Sequence, residues 1–170
     1  VLSGFYSKGT DIIDWVYPTA ESKKYQAMNI GKLDNMGYSV DAALHLQELL
    51  PKFFITRIKA GYAFIHQKHS TDGDVFGSLY ALEYLRHKAT LQLDHRIWRQ
   101  LTASWALRWQ ERMNGYHPYT KVDVRLQWSA PTYNIYVKAD NITNHHYYDL
   151  GNVKQPGIWV MAGASVKLKF

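Results

Sequence analysis

The sequence predicts an all-β protein, an antiparallel wall of about eight long strands. Three observations predict it. Apolar residues occupy every second position over most of the chain, the spacing that gathers them on one face of a strand. Several such segments run to ten or more residues, against a usual ~5–6 in globular strands and ~9–11 in tilted membrane strands. The connections between segments alternate short and long.

Taken in order, residues 1–7 form a brief candidate strand. Tyr38, Val40, Ala42, Leu44 and Leu46 then alternate with Ser39, Asp41, Ala43, His45 and Gln47. Within 53–66, Ile58, Ala60, Tyr62 and Phe64 share one face, and Arg57, Lys59 and Gly61 the other. Ala89, Leu91, Leu93, His95 and Ile97 alternate with Lys88, Thr90, Gln92, Asp94 and Arg96. Leu101, Ala103, Trp105, Leu107 and Trp109 alternate with Thr102, Ser104, Ala106, Arg108 and Gln110. Val122, Val124, Leu126 and Trp128 alternate with Lys121, Asp123, Arg125, Gln127 and Ser129. Tyr133, Ile135, Val137 and Ala139 alternate with Asn134, Tyr136, Lys138 and Asp140. The clearest run is the last: Ile158, Val160, Ala162, Ala164, Val166, Leu168 and Phe170, with Lys167 and Lys169 between the final three. A helix would set Lys167 and Phe170 on one side.

Short turns are expected at 48–52, 98–100 and 130–132, and long connections at 8–27, 67–80, 111–118 and 142–156. That alternation matches membrane barrels, whose turns are short on one side and whose loops are long on the other. A soluble lipocalin-type barrel also alternates, with its apolar face turned inward. Aromatics near strand ends (Trp109, Trp128, Tyr133, Phe170) favour the membrane, because Trp and Tyr gather at both interfaces. So do polar faces that mix both charge signs, as a wet lumen does.

Composition sets the outer bounds. The chain has 170 residues, a net charge of +6, no Cys and 15% aromatics. That is enough length to bury a core and too aromatic for a disordered segment. Disulfide frameworks, Cys-based zinc sites and thiol nucleophiles are excluded. No apolar run approaches the ~18 residues of a spanning helix. The chain opens Val1-Leu2-Ser3-Gly4, without Met or a basic-apolar leader, so a mature form, a processed product or a cut piece is expected.

The C-terminal segment carries a recognisable pattern. Asp140-Asn141-Ile142-Thr143-Asn144 is followed by Tyr147-Tyr148-Asp149, Gly151, Gln155-Pro156-Gly157, Trp159 and a terminal Phe170. This resembles the end of TonB-dependent outer-membrane receptors, with Ile142 and Thr143 standing for Leu and Phe, and Ile158 for the commoner Arg. Phe5-Tyr6, Gly9-Thr10-Asp11-Ile12-Ile13-Asp14-Trp15-Val16, Tyr80-Ala81-Leu82 and Leu85-Arg86-His87-Lys88 resemble the same family. They are most similar to Bacteroidetes-type receptors for cobalamin (vitamin B12) or siderophores. The resemblance implies a 22-stranded transmembrane barrel in the Gram-negative outer membrane, with residues 1–170 as its C-terminal portion. The N-terminal plug and the motif that engages TonB would lie outside this chain. Its partners would be membrane lipid, the receptor's plug and remaining strands, TonB through the missing N-terminus, and cobalamin or a ferric siderophore.

On that reading Arg57, Lys59, Asp94, Arg96, Arg108, Asp123, Arg125, Lys138 and Asp140 face the lumen and the plug. The long loops form the ligand mouth, with Trp15, Tyr17, His69, Asp72, Asp74, Tyr116, His145, His146, Tyr147 and Tyr148 as candidates. Large aromatics suit capture of a bulky solute, since they bury area at low entropic cost.

Enzyme chemistry is not expected, and neither is a cofactor. Asp94 and His95 are adjacent but face opposite sides of a strand. Asp72-Gly73-Asp74 has oxygen donors that suit calcium, yet reads more simply as a solvated turn. His145-His146 reads as a recognition or packing feature rather than a metal site. Asn141-Ile142-Thr143 matches a glycosylation acceptor without meaning in a bacterial barrel. The basic residues form no stripe or run, so nucleic acid is not an expected partner. No phosphate loop, nucleophile elbow or His-Glu-x-x-His motif occurs. Two alternatives remain: a self-contained eight-stranded outer-membrane structural barrel, and a soluble ligand-binding barrel.

Overall fold

A computed structural model describes residues 1–17, 19–21, 24–70, 77–78, 85–113, 116–149 and 153–167. The strands are β1 (Leu2–Gly9), β2 (Ile13–Tyr17), β3 (Gln26–Asn29), β4 (Lys32–Leu44), β5 (Ile55–Ser70), β6 (Gly77–Ser78), β7 (Leu85–Trp98), β8 (Leu101–Arg112), β9 (Tyr119–Ser129), β10 (Tyr133–Asp140) and β11 (Trp159–Val166). A single helical turn, α1 (Leu46–Leu49), interrupts them. Eight strands pair in the order β1-β4-β5-β7-β8-β9-β10-β11, every pair antiparallel. These are the eight alternating segments of the sequence, in chain order.

The register carries each strand's alternation across the whole sheet. Leu44, Ile58, Leu93, Trp105, Val124, Ala139 and Val160 form one continuous cross-strand row. Directly opposed side chains share a face, so the apolar set of every strand lies on one side. The charged set Arg57, Lys59, Asp94, Arg96, Arg108, Asp123, Arg125, Lys138 and Asp140 lies on the other.

The two sides differ in exposure in a direction opposite to a soluble fold. The apolar side is open: Val40, Leu91, Trp105, Leu107, Ile135 and Val137 are each 39–49% exposed. The charged side is sheltered: Arg57, Asp94, Arg108, Asp123, Arg125, Lys138 and Asp140 are half-buried, and Lys59 and Arg96 are exposed. Two aromatic rings lie flat on this sheltered side over glycines. A Cβ on Gly37 would meet the Phe5 ring at 2.7 Å, and one on Gly163 would meet the Tyr136 ring at 2.6 Å. Arg125 also lies over Tyr136, its guanidinium carbon 4.1 Å from the ring centroid.

Among the described residues the eight-stranded sheet does not close; β1 and β11 stand at its ends. This disfavours a self-contained eight-stranded barrel, which would pair them.

Several boundaries differ from the sequence reading. The connection expected at 48–52 is longer, because β4 ends at Leu44 and α1 follows. Leu49, Leu50 and Phe54 there are more than half exposed. β5 continues to Ser70, four residues beyond the expected His66, so His69 is a strand residue opposite Leu33. The long connection 8–27 is not irregular. It holds β2, which pairs with β3 and β6 in a separate three-stranded sheet.

The hydrophobic core cluster of the described residues lies between this small sheet and β4: Val16 and Ile30 are fully buried and pack with Leu33, flanked by Ile12 and Met28. Leu33 projects from the sheltered face of β4, so the small sheet caps one end of that face. Gly31, at φ 80°, makes the turn from β3 into β4, a conformation that favours glycine. Val16 to Ser78 and Tyr17 to Gly77 join the connection after β1 to the one after β5, and Ser78 Oγ donates to the buried Asp14 carboxylate across the same junction.

Candidate functional site

The site is built where the last long loop, residues 141–158, folds back onto the loop-side ends of β8 and β9. Its first residue begins the return. Asn141 has φ 53° and is 1% exposed. Its backbone N–H donates to Asp123 Oδ1 at 2.7 Å. Its amide nitrogen donates to the carbonyls of His145 (2.9 Å) and Pro156 (3.3 Å). Its amide oxygen accepts from Thr143 Oγ1 (3.2 Å) and His145 N (3.1 Å). Asn tolerates the left-handed region and bonds nearby backbone, so one residue turns the chain and ties both ends of the loop. Asn144, at φ 49°, does the same for Ile158, accepting its N–H at 3.0 Å.

Asp149 completes the return. Its carboxylate accepts from Gln110 Nε2 at 2.8 Å, from the Tyr119 hydroxyl, and from Arg108 at 3.4 Å. Arg112 donates to its backbone carbonyl. Arg108, Gln110 and Arg112 are alternate residues of β8, and Gln110 is the register partner of Tyr119 on β9, so strand geometry alone sets these donors side by side.

Aromatic rings close the space around this tie. Tyr119 and Tyr147, both buried, have centroids 4.5 Å apart. His145 stacks parallel to Tyr119 at 6.4 Å, and Tyr116 meets Tyr148 at 6.1 Å. Arg108 and Lys121 each lie 5.9 Å from the Tyr147 ring, a cation–π distance. Between them is a cavity of about 210 Å³, lined by Gln110, Arg112, Tyr116, His117, Tyr119 and residues 145–148.

The structure therefore brings together five of the expected mouth residues: Tyr116, His145, His146, Tyr147 and Tyr148. Trp15 and Tyr17 sit elsewhere, on the outer side of β2, where Trp15 is 51% exposed and Tyr17 packs against Tyr25 at 4.0 Å. His69 lies on β5, and Asp72 and Asp74 lie outside the described residues. Among the described residues, no three His, Asp or Glu side chains gather as a metal site. The sequence reading missed Asp149 as an anchor, along with Gln110, Arg112, His117, Tyr119 and the structural role of Asn141. Extending the β8 alternation past Arg108 would have pointed to Gln110 and Arg112.

Below the loops, several charged residues of the sheltered face form ion pairs among the described residues. Arg57 pairs with Asp94 at 2.5 Å, Lys121 with Asp123 at 3.4 Å, and Lys138 with Asp140 at 2.8 Å. His95, on the opposite face from Asp94, accepts from Trp105 Nε1 at 3.1 Å. An open hollow of about 760 Å³ lies between Asp41, Lys59, Thr90 and Gln92. Gly61 forms its floor, where a Cβ would come within 2.8 Å of both Asp41 and Thr90 side-chain oxygens.

The arrangement of the wall has solved counterparts. Over 96% of its length the chain superposes on the FrpB iron transporter from Neisseria meningitidis, F5-1 variant in its apoprotein form, at a TM-score of 0.69 and 16% identity. It shares the fold of part of that transporter. The F3-3 variant of the same transporter matches equally, at a TM-score of 0.69 and 16% identity over 96% of the chain. The chain spans 28% and 27% of those two structures. No protein-family model and no curated protein matches the sequence. Among the described residues, no helix is long and apolar enough to cross a membrane, which leaves β-strand crossing open.

Proposed function

We propose that this chain is the C-terminal portion of the barrel of a TonB-dependent outer-membrane receptor that imports a bulky, scarce solute. The observation that carries this reading is the orientation of the two faces. Apolar side chains cover the open side of the sheet and charged side chains its sheltered side. Lipid solvates the first arrangement and a wet, plug-filled lumen the second. A soluble ligand-binding barrel needs the reverse.

Strands of 11–16 residues in β4, β5, β7, β8 and β9 are long enough to cross a bilayer at a tilt. The two ends of the sheet would pair with further strands of the same barrel, because an open edge in lipid leaves backbone groups unsatisfied. On this reading the ion-paired sheltered face and the hollow at Gly61 meet the plug, while the capped end with its aromatic cavity is the ligand mouth. Energy would come through TonB, so the wall needs no covalent chemistry. Of the two candidate solutes, the likeness to an iron transporter favours a ferric siderophore over cobalamin.

The test uses the intact receptor in its own cells. The protein should fractionate with the outer membrane, and uptake of radiolabelled ferric siderophore should vanish when TonB is deleted. Recovery in the soluble fraction would sink the receptor reading. Uptake of cyanocobalamin alone would overturn the choice of solute and leave the receptor reading in place.

A further inference from the structure

We propose that Arg108, Gln110, Arg112 and Tyr119 form a binding cradle for a carboxylate-bearing ligand, with Asp149 as its built-in competitor. The inference rests on the reading of this end as a ligand mouth and adds the chemistry of the site.

All four donors converge on one residue. Arg108, Gln110 and Tyr119 serve the carboxylate of Asp149, and Arg112 serves its backbone carbonyl. Every donor belongs to the wall strands β8 and β9, whose register fixes their spacing. The acceptor alone belongs to a loop. Strand pairing holds the donors in place whether or not Asp149 is present, whereas a loop moves readily. The donor set therefore persists as an anion site when the loop residue leaves, and charge-assisted donors of this kind are strong.

The wall around the cradle is cationic. Arg108 meets the Asp149 carboxylate and Arg112 its backbone carbonyl, while Lys121, beside the Tyr147 ring, is paired with Asp123. The paired rows of the sheltered face carry Arg57, Lys59, Lys88, Arg96, Arg108, Lys121, Arg125 and Lys138 against Asp41, Asp94, Asp123 and Asp140. An anion entering from the mouth meets a net positive wall. The Arg108–Asp149 pair is about one-third exposed on each side, so water and solutes reach it.

The neighbouring cavity adds shape. It holds about 210 Å³ and shares Gln110, Arg112 and Tyr119 with the cradle. A void of roughly 150 Å³ accommodates a benzene ring, so one planar group fits within this cavity. The ligand class is thus a planar group bearing a carboxylate. On binding, its carboxylate takes the donors and Asp149 passes to water. The loop base stays held by Asn141 and Asn144. No bond is made or broken covalently.

Benzoate is the probe and benzamide its neutral isostere, titrated against the intact receptor in detergent and followed by saturation-transfer NMR. A competitor and a positioning residue predict opposite signs. Asp149→Asn should bind benzoate about fivefold more tightly than wild type, and Arg108→Gln about fivefold more weakly. Benzamide should bind the three forms alike. Weaker or unchanged binding by Asp149→Asn would make Asp149 a positioning residue and overturn the proposal. Unchanged binding by Arg108→Gln, or no benzoate binding by any form, would overturn it too. A second measurement needs only the wild type: benzoate, and not benzamide, should speed tryptic cleavage after the exposed Lys154, and equal rates would count against displacement. Loss of these effects with nutrient uptake intact removes the cradle alone; absence from the outer membrane removes the receptor reading itself.

Discussion

The eight-stranded wall and its loop-side cap are stabilised on different principles. In the wall almost nothing is buried between layers, and order comes from ladder hydrogen bonds and from the sorting of two faces. The cap buries Val16 and Ile30 with Leu33, and shields the polar groups of Asp14 and Ser78. On the proposed reading the wall relies on its solvent, lipid on one side and water on the other. The cap behaves like a small soluble fold, with its own core and satisfied buried polar groups. Substitutions should therefore act by face in the wall and by individual contact in the cap.

The largest effect should come from charging the open face. Leu107→Arg is expected to cost about 2–4 kcal/mol of stability in a bilayer, while its neighbour Ala106→Arg, on the sheltered face, should cost less than about 1 kcal/mol. Folding titrations in lipid vesicles check the pair, and equal costs would break the distinction between faces. Next comes Asn141→Ala, which strands several loop groups and places a less suitable residue at positive φ. A loss of about 2 kcal/mol is expected, confined to residues 141–158 in hydrogen exchange. Exchange spread evenly over β8–β10 would mean that the loop and wall are one unit.

Gly163→Ala drives a methyl into the Tyr136 ring and should cost about 1–2 kcal/mol. Combining it with Tyr136→Ala should recover most of that loss, and no recovery would place the strain elsewhere. Ser78→Ala should be mildest, about 1 kcal/mol, read as faster proteolysis of the joined loops with the wall unchanged.

The legible part of the molecule was the part with a short period. Pairs such as Leu91 and Leu107 were assignable to one face because strand alternation needs only neighbouring residues, and register then carried that assignment across the sheet. The nine charged residues fell together for the same reason. Boundaries were less readable: α1 begins at Leu46, which continues the every-second-residue apolar pattern of Val40, Ala42 and Leu44 and so also suits a strand continuing from β4. β2 and β3 were read as loop because β3 has only four residues, too short to show a period. The cradle left a fainter trace still. Tyr147, Tyr148 and His145 were noticed as aromatics in a loop, but nothing nearby announces that Asp149 will meet residues 30 to 41 positions upstream.

By itself, the sequence determined where the long strands of the wall lie and which side of each is apolar, because a two-residue period is a local property of the backbone. Only the tertiary structure decided which of those sides is open and which is sheltered, since exposure depends on how the paired strands and their cap are arranged together. It also decided that Asp14 meets Ser78 across 64 residues and that Asp149 closes onto β8 and β9. Those contacts follow from strand register and loop return, which bring distant donors and acceptors within hydrogen-bond reach without any sequence-local requirement.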